Sequence, residues 1–224
     1  MKLKKTALAL SVLLAAGSAA AEFSANIGAT SNYVWRGVTQ TGEDAAISGG
    51  LDYAHESGFY AGTWASNVAG GEEVDLYGGF SGEAASLGYD VGVIYYAYPS
   101  FNDADFTEIY GSLSYGPVTG GINYTVDGQA ESAGQDQFIG GDIYYYLSAS
   151  FEVMPTWSLG GTVGYYDFDE DGMGGNDISY AHIQGDITKS AGDFGDFTFS
   201  LSKAEKESGD DDLKVFVSWA KTFE

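Results

Sequence analysis

The chain has 224 residues, with 32 acidic side chains against 9 basic ones and a formal net charge of −23. A surface this negative repels phosphate backbones and excludes nucleic acid as a partner, and a 15% aromatic content excludes a disordered acidic tail. There is no cysteine, so no disulfide framework contributes, and stability must come from a core or a closed sheet.

The chain opens on Lys2, Lys4 and Lys5, followed by an apolar run from Thr6 to Ala16 and Ala19-Ala20-Ala21 before Glu22. A positive start, a short apolar stretch and an A-x-A site describe a cleaved export signal over residues 1–21. The run falls short of the ~20 residues a membrane helix needs. Loss of three lysines with this segment takes the formal net charge from −23 to −26. The expected mature chain is one domain, residues 22–224.

Beyond the leader, apolar and polar residues alternate with the period of half-buried strands. Twelve segments are expected, near 23–36, 45–54, 59–66, 73–80, 87–98, 106–115, 118–126, 141–151, 157–167, 178–188, 197–204 and 213–223. In the fourth, Val74, Leu76 and Phe80 oppose Asp75, Tyr77 and Ser81. In the last, Leu213, Val215, Val217 and Trp219 oppose Lys214, Phe216, Ser218 and Ala220. Connections after even-numbered segments are mostly tight: His55 to Gly58, Ser81 to Ser86, Gly116-Pro117 and Glu152 to Thr156. Those after odd-numbered segments include the longer ones: Gly37 to Asp44, Asp127 to Gly140, Phe168 to Asp177 and Glu205 to Asp212. Lys189 to Asp196 is the one connection out of phase. Short inner turns, longer outer loops and an even strand count are the pattern of outer-membrane barrels.

Aromatic residues mark the segment ends. The short-turn ends carry Tyr53, Phe59, Phe80, Tyr89, Tyr115, Phe151, Trp157, Phe197 and Phe223, and the long-loop ends Trp35, Tyr95, Tyr98, Phe106 and Tyr165. Two aromatic girdles are expected where membrane meets water. The fold expectation is therefore all-β: a transmembrane, antiparallel, up-and-down barrel of about 12 strands, closed because an open edge in hydrocarbon leaves backbone groups unpaired. A soluble lipocalin-type barrel is the alternative, but it has about eight strands and turns its apolar face inward.

Three stretches carry a family resemblance: SNYVWRGVTQT (31–41), GGLDYAHESGFYAGTWASNV (49–68) and YDVGVIYYAYP (89–99). Together they resemble the TorF family of bacterial outer-membrane proteins, named as porins and earlier described as conserved proteins of unknown function. The resemblance spans the mature chain and is most specific in its N-terminal third. It implies an outer-membrane barrel with a channel role, and it brings no substrate and no catalytic residues. One departure is at the C-terminus, where Phe223 is followed by Glu224 rather than ending the chain.

The polar face supplies the candidate pore lining: Asp52, Asp90, Tyr96, Glu108, Tyr110, Asp142, Tyr144, Tyr166, His182, Asp186 and Lys214. The inward tyrosines are expected to narrow the bore, since twelve strands lie between filled eight-strand barrels and open sixteen-strand ones. The loop Asp127 to Gly140 is expected to decide whether the lumen is open. Acidic loops, including Glu43, Asp44, Asp103, Asp105, Glu131, Asp136 and Asp210 to Asp212, favour cations. Arg36, Lys203 and Lys214 are expected near the outer rim, pairing with loop carboxylates or with lipopolysaccharide phosphates. No cofactor is expected beyond weak calcium binding at Asp167, Asp169 and Asp171, the opening of a D-x-D-x-D-G loop whose twelfth position is Ile178 instead of Glu. No enzyme is expected either. His55 falls in a turn, and His182 has no nucleophile motif beside it. The function expected is a pore for ions or small solutes, cation-preferring, in contact with outer-membrane lipid and lipopolysaccharide. The alternative is a closed structural or adhesive barrel whose acidic loops bind a partner.

Overall fold

The computed structural model describes residues 21–132, 134, 136–172 and 175–224; the expected leader lies outside them except for Ala21. Among these residues the strands are β1 (Glu22–Thr30), β2 (Val34–Trp35), β3 (Val38–Thr39), β4 (Ala46–Ala54), β5 (Phe59–Val68), β6 (Gly71–Ala84) and β7 (Leu87–Ala97). They continue as β8 (Phe106–Tyr115), β9 (Val118–Gly128), β10 (Ile143–Met154), β11 (Trp157–Asp167), β12 (Tyr180–Ser190), β13 (Asp196–Ala204) and β14 (Lys214–Phe223). All but β2 and β3 join one antiparallel ladder, which closes where β1 pairs with β14 (Ala25 opposite Phe223, Thr30 opposite Ser218). The expected twelve-strand barrel is the fold of this chain.

A single side-chain parity runs round the whole wall. The ladder Asn26, Gly50, Trp64, Asp75, Tyr96, Phe106 passes from β1 to β8 with each residue directly opposite the next. Residues of the alternate parity point outward, among them the exposed Leu51, Leu76, Leu113, Leu147, Val163, Ile183 and Val217. An apolar outside and a polar inside are the reverse of a soluble barrel, whose greasy face fills the interior. At the short-turn end, outward rings pack on one another across strands: Phe23 with Tyr53 at 4.9 Å, Phe59 with Phe80 at 5.0 Å and Phe80 with Tyr89 at 6.0 Å. Lys189 and Lys221 lie over Trp157 and Phe223 at the same end.

The short-turn end is built from turns such as Ala85-Ser86, both with positive φ (49° and 68°), which matches the twist of the flanking strands. The connection out of phase in the sequence is shorter in space. β12 runs on to Ser190 and β13 starts at Asp196, leaving a five-residue turn around a single 3-10 turn, Gly192–Phe194.

One expected strand is corrected. The first segment does not continue to residue 36. β1 stops at Thr30, and the chain leaves the wall at Ser31-Asn32. Thr30 Oγ1 donates to the Asn32 carbonyl, and the Thr39 hydroxyl donates to Asn32 Oδ1 at 2.6 Å. Arg36 and Gly37 adopt positive φ (48° and 88°), which turns β2 back on β3. This hairpin lies in the barrel instead of extending it. Three girdle residues are corrected with it, the first being Tyr98, which lies past the end of β7 and stacks on Phe106 at 6.4 Å. Trp35 travels inward on the hairpin, and Phe106 shares the inner parity of Glu108 and is enclosed. Tyr124 and Tyr145 stand outward at the long-loop ends beside Tyr95 and Tyr165.

Candidate functional site

The inner face divides into two levels. Toward the short turns, tyrosines rest on glycines of the adjacent strand. A Cβ placed on Gly62 would lie 2.5 Å from the Tyr77 ring, and one on Gly121 would lie 2.5 Å from the Tyr146 ring. Tyr60 covers Gly79, and Tyr110 covers Gly92, in the same way. The absent side chains let the rings lie along the wall. Tyr110, expected to narrow the bore, therefore does so less than its size suggests.

These rings carry their hydroxyls sideways to carboxylates. Tyr77 donates to Asp52 at 2.6 Å, with Asn26 donating at 3.2 Å. Tyr60 donates to Asp90 at 2.6 Å and meets the Tyr110 hydroxyl at 2.5 Å. On the opposite wall Ser200 and Gln184 donate to Asp186 at 2.6 and 3.0 Å. Each of the three aspartates is held by neutral donors and, among the described residues, by no cationic side chain, so its negative charge faces the lumen uncompensated.

Toward the long loops the interior is filled. The β2–β3 hairpin inserts Trp35 among Tyr96, Phe106, Phe138 and Tyr166, with ring centroids 5.8 to 6.4 Å away. Arg36 reaches across to Glu108 in a two-pronged ion pair, both N–O distances 2.7 Å, with side chains 6% and 1% exposed. Asn123 also donates to Glu108 at 3.0 Å, and the Tyr96 hydroxyl lies 3.3 Å from it. The guanidinium sits over Trp35, Tyr144 and Tyr166 at 4.1, 4.3 and 5.0 Å. Burial works against its charge, but Glu108, Tyr166 and Tyr96 around it together outweigh burial and lift its pKa well above the ordinary arginine value. Arg36 was expected at the outer rim; the turn at Arg36-Gly37 carries it into the lumen instead.

The remaining candidates take their places around this plug. Tyr144 shares a 2.8 Å hydrogen bond with His182 Nε2, and Gly37 packs against His182 so closely that a Cβ there would lie 2.6 Å from the histidine Cβ. Tyr166 is enclosed and stacks on Phe168 at 4.2 Å. Asp142 stands at the root of the loop before β10, accepting from the backbone N–H groups of Ile139 and Asp169, both at 3.1 Å. That loop contributes Phe138 to the plug. Lys214 pairs with the loop carboxylate of Asp210 at 2.5 Å, while Lys203 is exposed. His55 serves its turn by bonding the Ser57 hydroxyl at 2.7 Å.

Asp167, Asp169 and Asp171 do not converge. Asp167 has the outward parity, whereas the Asp169 side chain lies against Gly141. Among the described residues no group of three or more His, Cys, Asp or Glu side chains is arranged to hold a metal ion.

Two inner residues outside the candidate set stand out. Glu73 and Asp75, on β6, are 2% and 0% exposed. The Tyr33 hydroxyl donates to Glu73 Oε1 at 3.3 Å, and the Glu73 and Asp75 carboxyl groups lie against each other. The alternation placed Asp75 on the inner face; its enclosure depends on the hairpin, which the alternation does not reveal.

The sequence profile of a bacterial family of unknown function, Gcw_chp, matches residues 14–223; the TorF name suggested by the motifs is not part of that match. No curated protein matches the chain by sequence. Solved structures similar in fold include the KdgM porin (TM-score 0.60, 4% identity, 90% of this chain and 98% of that one). The same porin in complex with disordered oligogalacturonate matches at TM-score 0.56, with 5% identity, 88% of this chain and 98% of that one. The NanC porin matches at TM-score 0.52, with 10% identity, 90% of this chain and 98% of that one. At such identities these likenesses speak to the fold alone.

Proposed function

The chain belongs to the Gcw_chp family of bacterial proteins of unknown function, and for it we propose a porin-like role: a narrow outer-membrane channel for ions or small solutes, cation-preferring, with its outer half closed by the 31–41 segment. The observation that carries this reading is the uniform parity of a closed wall, apolar outside and polar inside. Such a wall is stable in lipid, where closure pairs every strand N–H and C=O.

Cation preference is supported by the charge of the interior. Among the described residues its basic side chains are Arg36 and Lys214, both already paired. Asp52, Asp90, Asp186, Glu73 and Asp75 have no basic partner there. An acidic lumen raises the local concentration of cations and excludes anions. The related fold seen with oligogalacturonate holds a polyanion; this interior would repel one. His182 is read as a lining residue held by Tyr144, with no catalytic role.

The filled outer half favours a second reading, a closed barrel whose acidic loops bind a partner. Planar-bilayer recording across a KCl gradient separates the two. The channel reading expects discrete conductance steps with a reversal potential on the cation side. Chloride preference would contradict it, and a sealed barrel at all voltages would leave the second reading standing.

A further inference from the structure

We infer that the outer face of β11 to β14 carries a groove for an anionic phospholipid of the inner leaflet, with an acyl chain on Ile187, Phe199 and Val217 and the phosphate at Lys189. The inference rests on the membrane placement that the channel reading assumes, and it does not require that the barrel conducts.

The first observation is a groove in the apolar outer wall. About 300 Å³ of open space is bounded there by Trp157, Ile187, Lys189, Phe197, Phe199 and Val217. Two outward rungs of the ladder form it. Ile187 stands opposite Phe199 and Phe199 opposite Val217, all three exposed and apolar. On the next outward rung toward the short turns, Lys189 stands between Trp157 and Phe197. On the next one toward the long loops, Gly161 and Gly185 face each other, and a Cβ on Gly185 would meet nothing. A flexible hydrocarbon chain can therefore run from the lysine rung up the wall.

The second observation concerns charge. Lys2, Lys4 and Lys5 apart, the basic residues of the chain are Arg36, Lys189, Lys203, Lys206, Lys214 and Lys221. Of these, Lys189 and Lys221 lie at the short-turn end of this face. Lys189 Nζ stands 5.2 Å from the Trp157 ring centre and donates to the Thr156 hydroxyl. Lys221 Nζ stands 4.9 Å from the Phe223 ring centre and donates to the Asp193 carbonyl at 2.6 Å. Among the described residues neither forms an ion pair with a carboxylate, whereas Arg36 and Lys214 both do. Neutral partners steady the two ammonium groups without cancelling their charge. An ammonium has three N–H donors, so each keeps capacity for a phosphate oxygen.

Lysine also occurs at membrane surfaces simply because its stem covers apolar surface while its head stays wet. The groove sets Lys189 apart from that case. A cation at the mouth of an apolar groove matches the two parts of a phospholipid, and each lysine near a membrane surface favours an anionic headgroup about fivefold. The rest of the chain, with its formal net charge of −23, repels such a headgroup, which confines the preference to this face. Short turns lie on the periplasmic side of an outer-membrane barrel, and that places the lipid in the inner leaflet.

The test uses the full mature chain folded into phosphatidylcholine vesicles. The probes are phosphatidylglycerol and phosphatidylcholine brominated along the acyl chain, and the readout is quenching of tryptophan fluorescence, since Trp157 borders the groove. Brominated phosphatidylglycerol is expected to quench at an about fivefold lower mole fraction than brominated phosphatidylcholine. Lys189→Gln should bring the two lipids level, Lys189→Arg should keep the preference, and Lys203→Gln, at the long-loop end of β13, should leave it unchanged. Lys221→Gln, which spares the lysine of the groove, should reduce the preference in part and covers the case in which Lys189→Gln fails to fold. The inference is overturned if the parent shows no preference, if Lys189→Gln keeps it, if Lys221→Gln keeps it in full where Lys189→Gln does not fold, or if Lys203→Gln removes as much of it. Quenching by neither lipid would overturn the inference together with the membrane placement. Bilayer conductance of the same preparation judges the channel reading separately: conductance without lipid preference removes only the site, and preference without conductance removes only the channel.

Discussion

Arg36→Ala should open the barrel. The guanidinium makes two 2.7 Å bonds to Glu108, and the pair is almost wholly enclosed. Removing it leaves Glu108 buried without a counter-charge, a loss of about 3–5 kcal/mol when a buried pair is broken on one side. The hairpin can escape that cost by leaving the lumen, which lets water reach Glu108. Since about 1.4 kcal/mol is a factor of ten, the ratio of inserted to withdrawn hairpin should fall by a factor between about 10² and several times 10³. Planar-bilayer recording should then show a higher mean conductance and longer openings than the parent. Glu108→Ala should do much the same, since it leaves Arg36 as the stranded charge. Combining the two should cause a smaller change than their sum, with a coupling of a few kcal/mol, roughly the value of an enclosed pair. If Arg36→Ala conducts like the parent, or if the two substitutions add without coupling, the hairpin is not held by this ion pair.

Gly92→Val should push Tyr110 off the wall, because the new Cβ would meet the tyrosine hydroxyl and the Gly78 carbonyl; a lower conductance and roughly 1–3 kcal/mol lost in unfolding experiments are expected. Replacing Asp52, Asp90 and Asp186 together by Asn should leave the tyrosine network largely intact and move the reversal potential toward the chloride side; an unchanged value would place selectivity elsewhere. Leu147→Arg, on the exposed outer face, should lower stability in lipid vesicles by about 2–4 kcal/mol if the residue lies near the bilayer midplane. Stability no lower than the parent's in vesicles would speak against that face meeting hydrocarbon.

The wall was legible because period-two alternation states directly which way a strand side chain points. Val91 and Asp90, or Leu147 and Ser148, fall on the faces their chemistry indicates. Phe106 misled because an aromatic residue at a strand end suits a girdle as well as an interior, and only its parity with Glu108 decides. The hairpin was harder to read. Val34 and Trp35 continue an apolar pattern, and nothing local states that Ser31-Asn32 turns the chain inward instead of outward. The decisive partner of Arg36 lies 72 residues away at Glu108, a separation that periodicity cannot bridge. The loop Asp127 to Gly140, expected to govern the lumen, contributes Phe138 to a plug built mainly by residues 31–41. Glu73 and Asp75 were missed for the same reason, since their enclosure is a property of the assembled interior.

The central claim is that one face of each strand meets lipid and the other meets water, and the absence of cysteine makes it directly measurable. Single cysteines at adjacent positions, Val91 and Asp90 or Val163 and Thr162, can be introduced into protein reconstituted in vesicles. Val91→Cys and Val163→Cys should carry a fluorophore that brominated lipid quenches, while Asp90→Cys and Thr162→Cys should react with a membrane-impermeant thiol reagent. The opposite assignment, with the aliphatic positions reached from water and their neighbours quenched by lipid, would contradict the account.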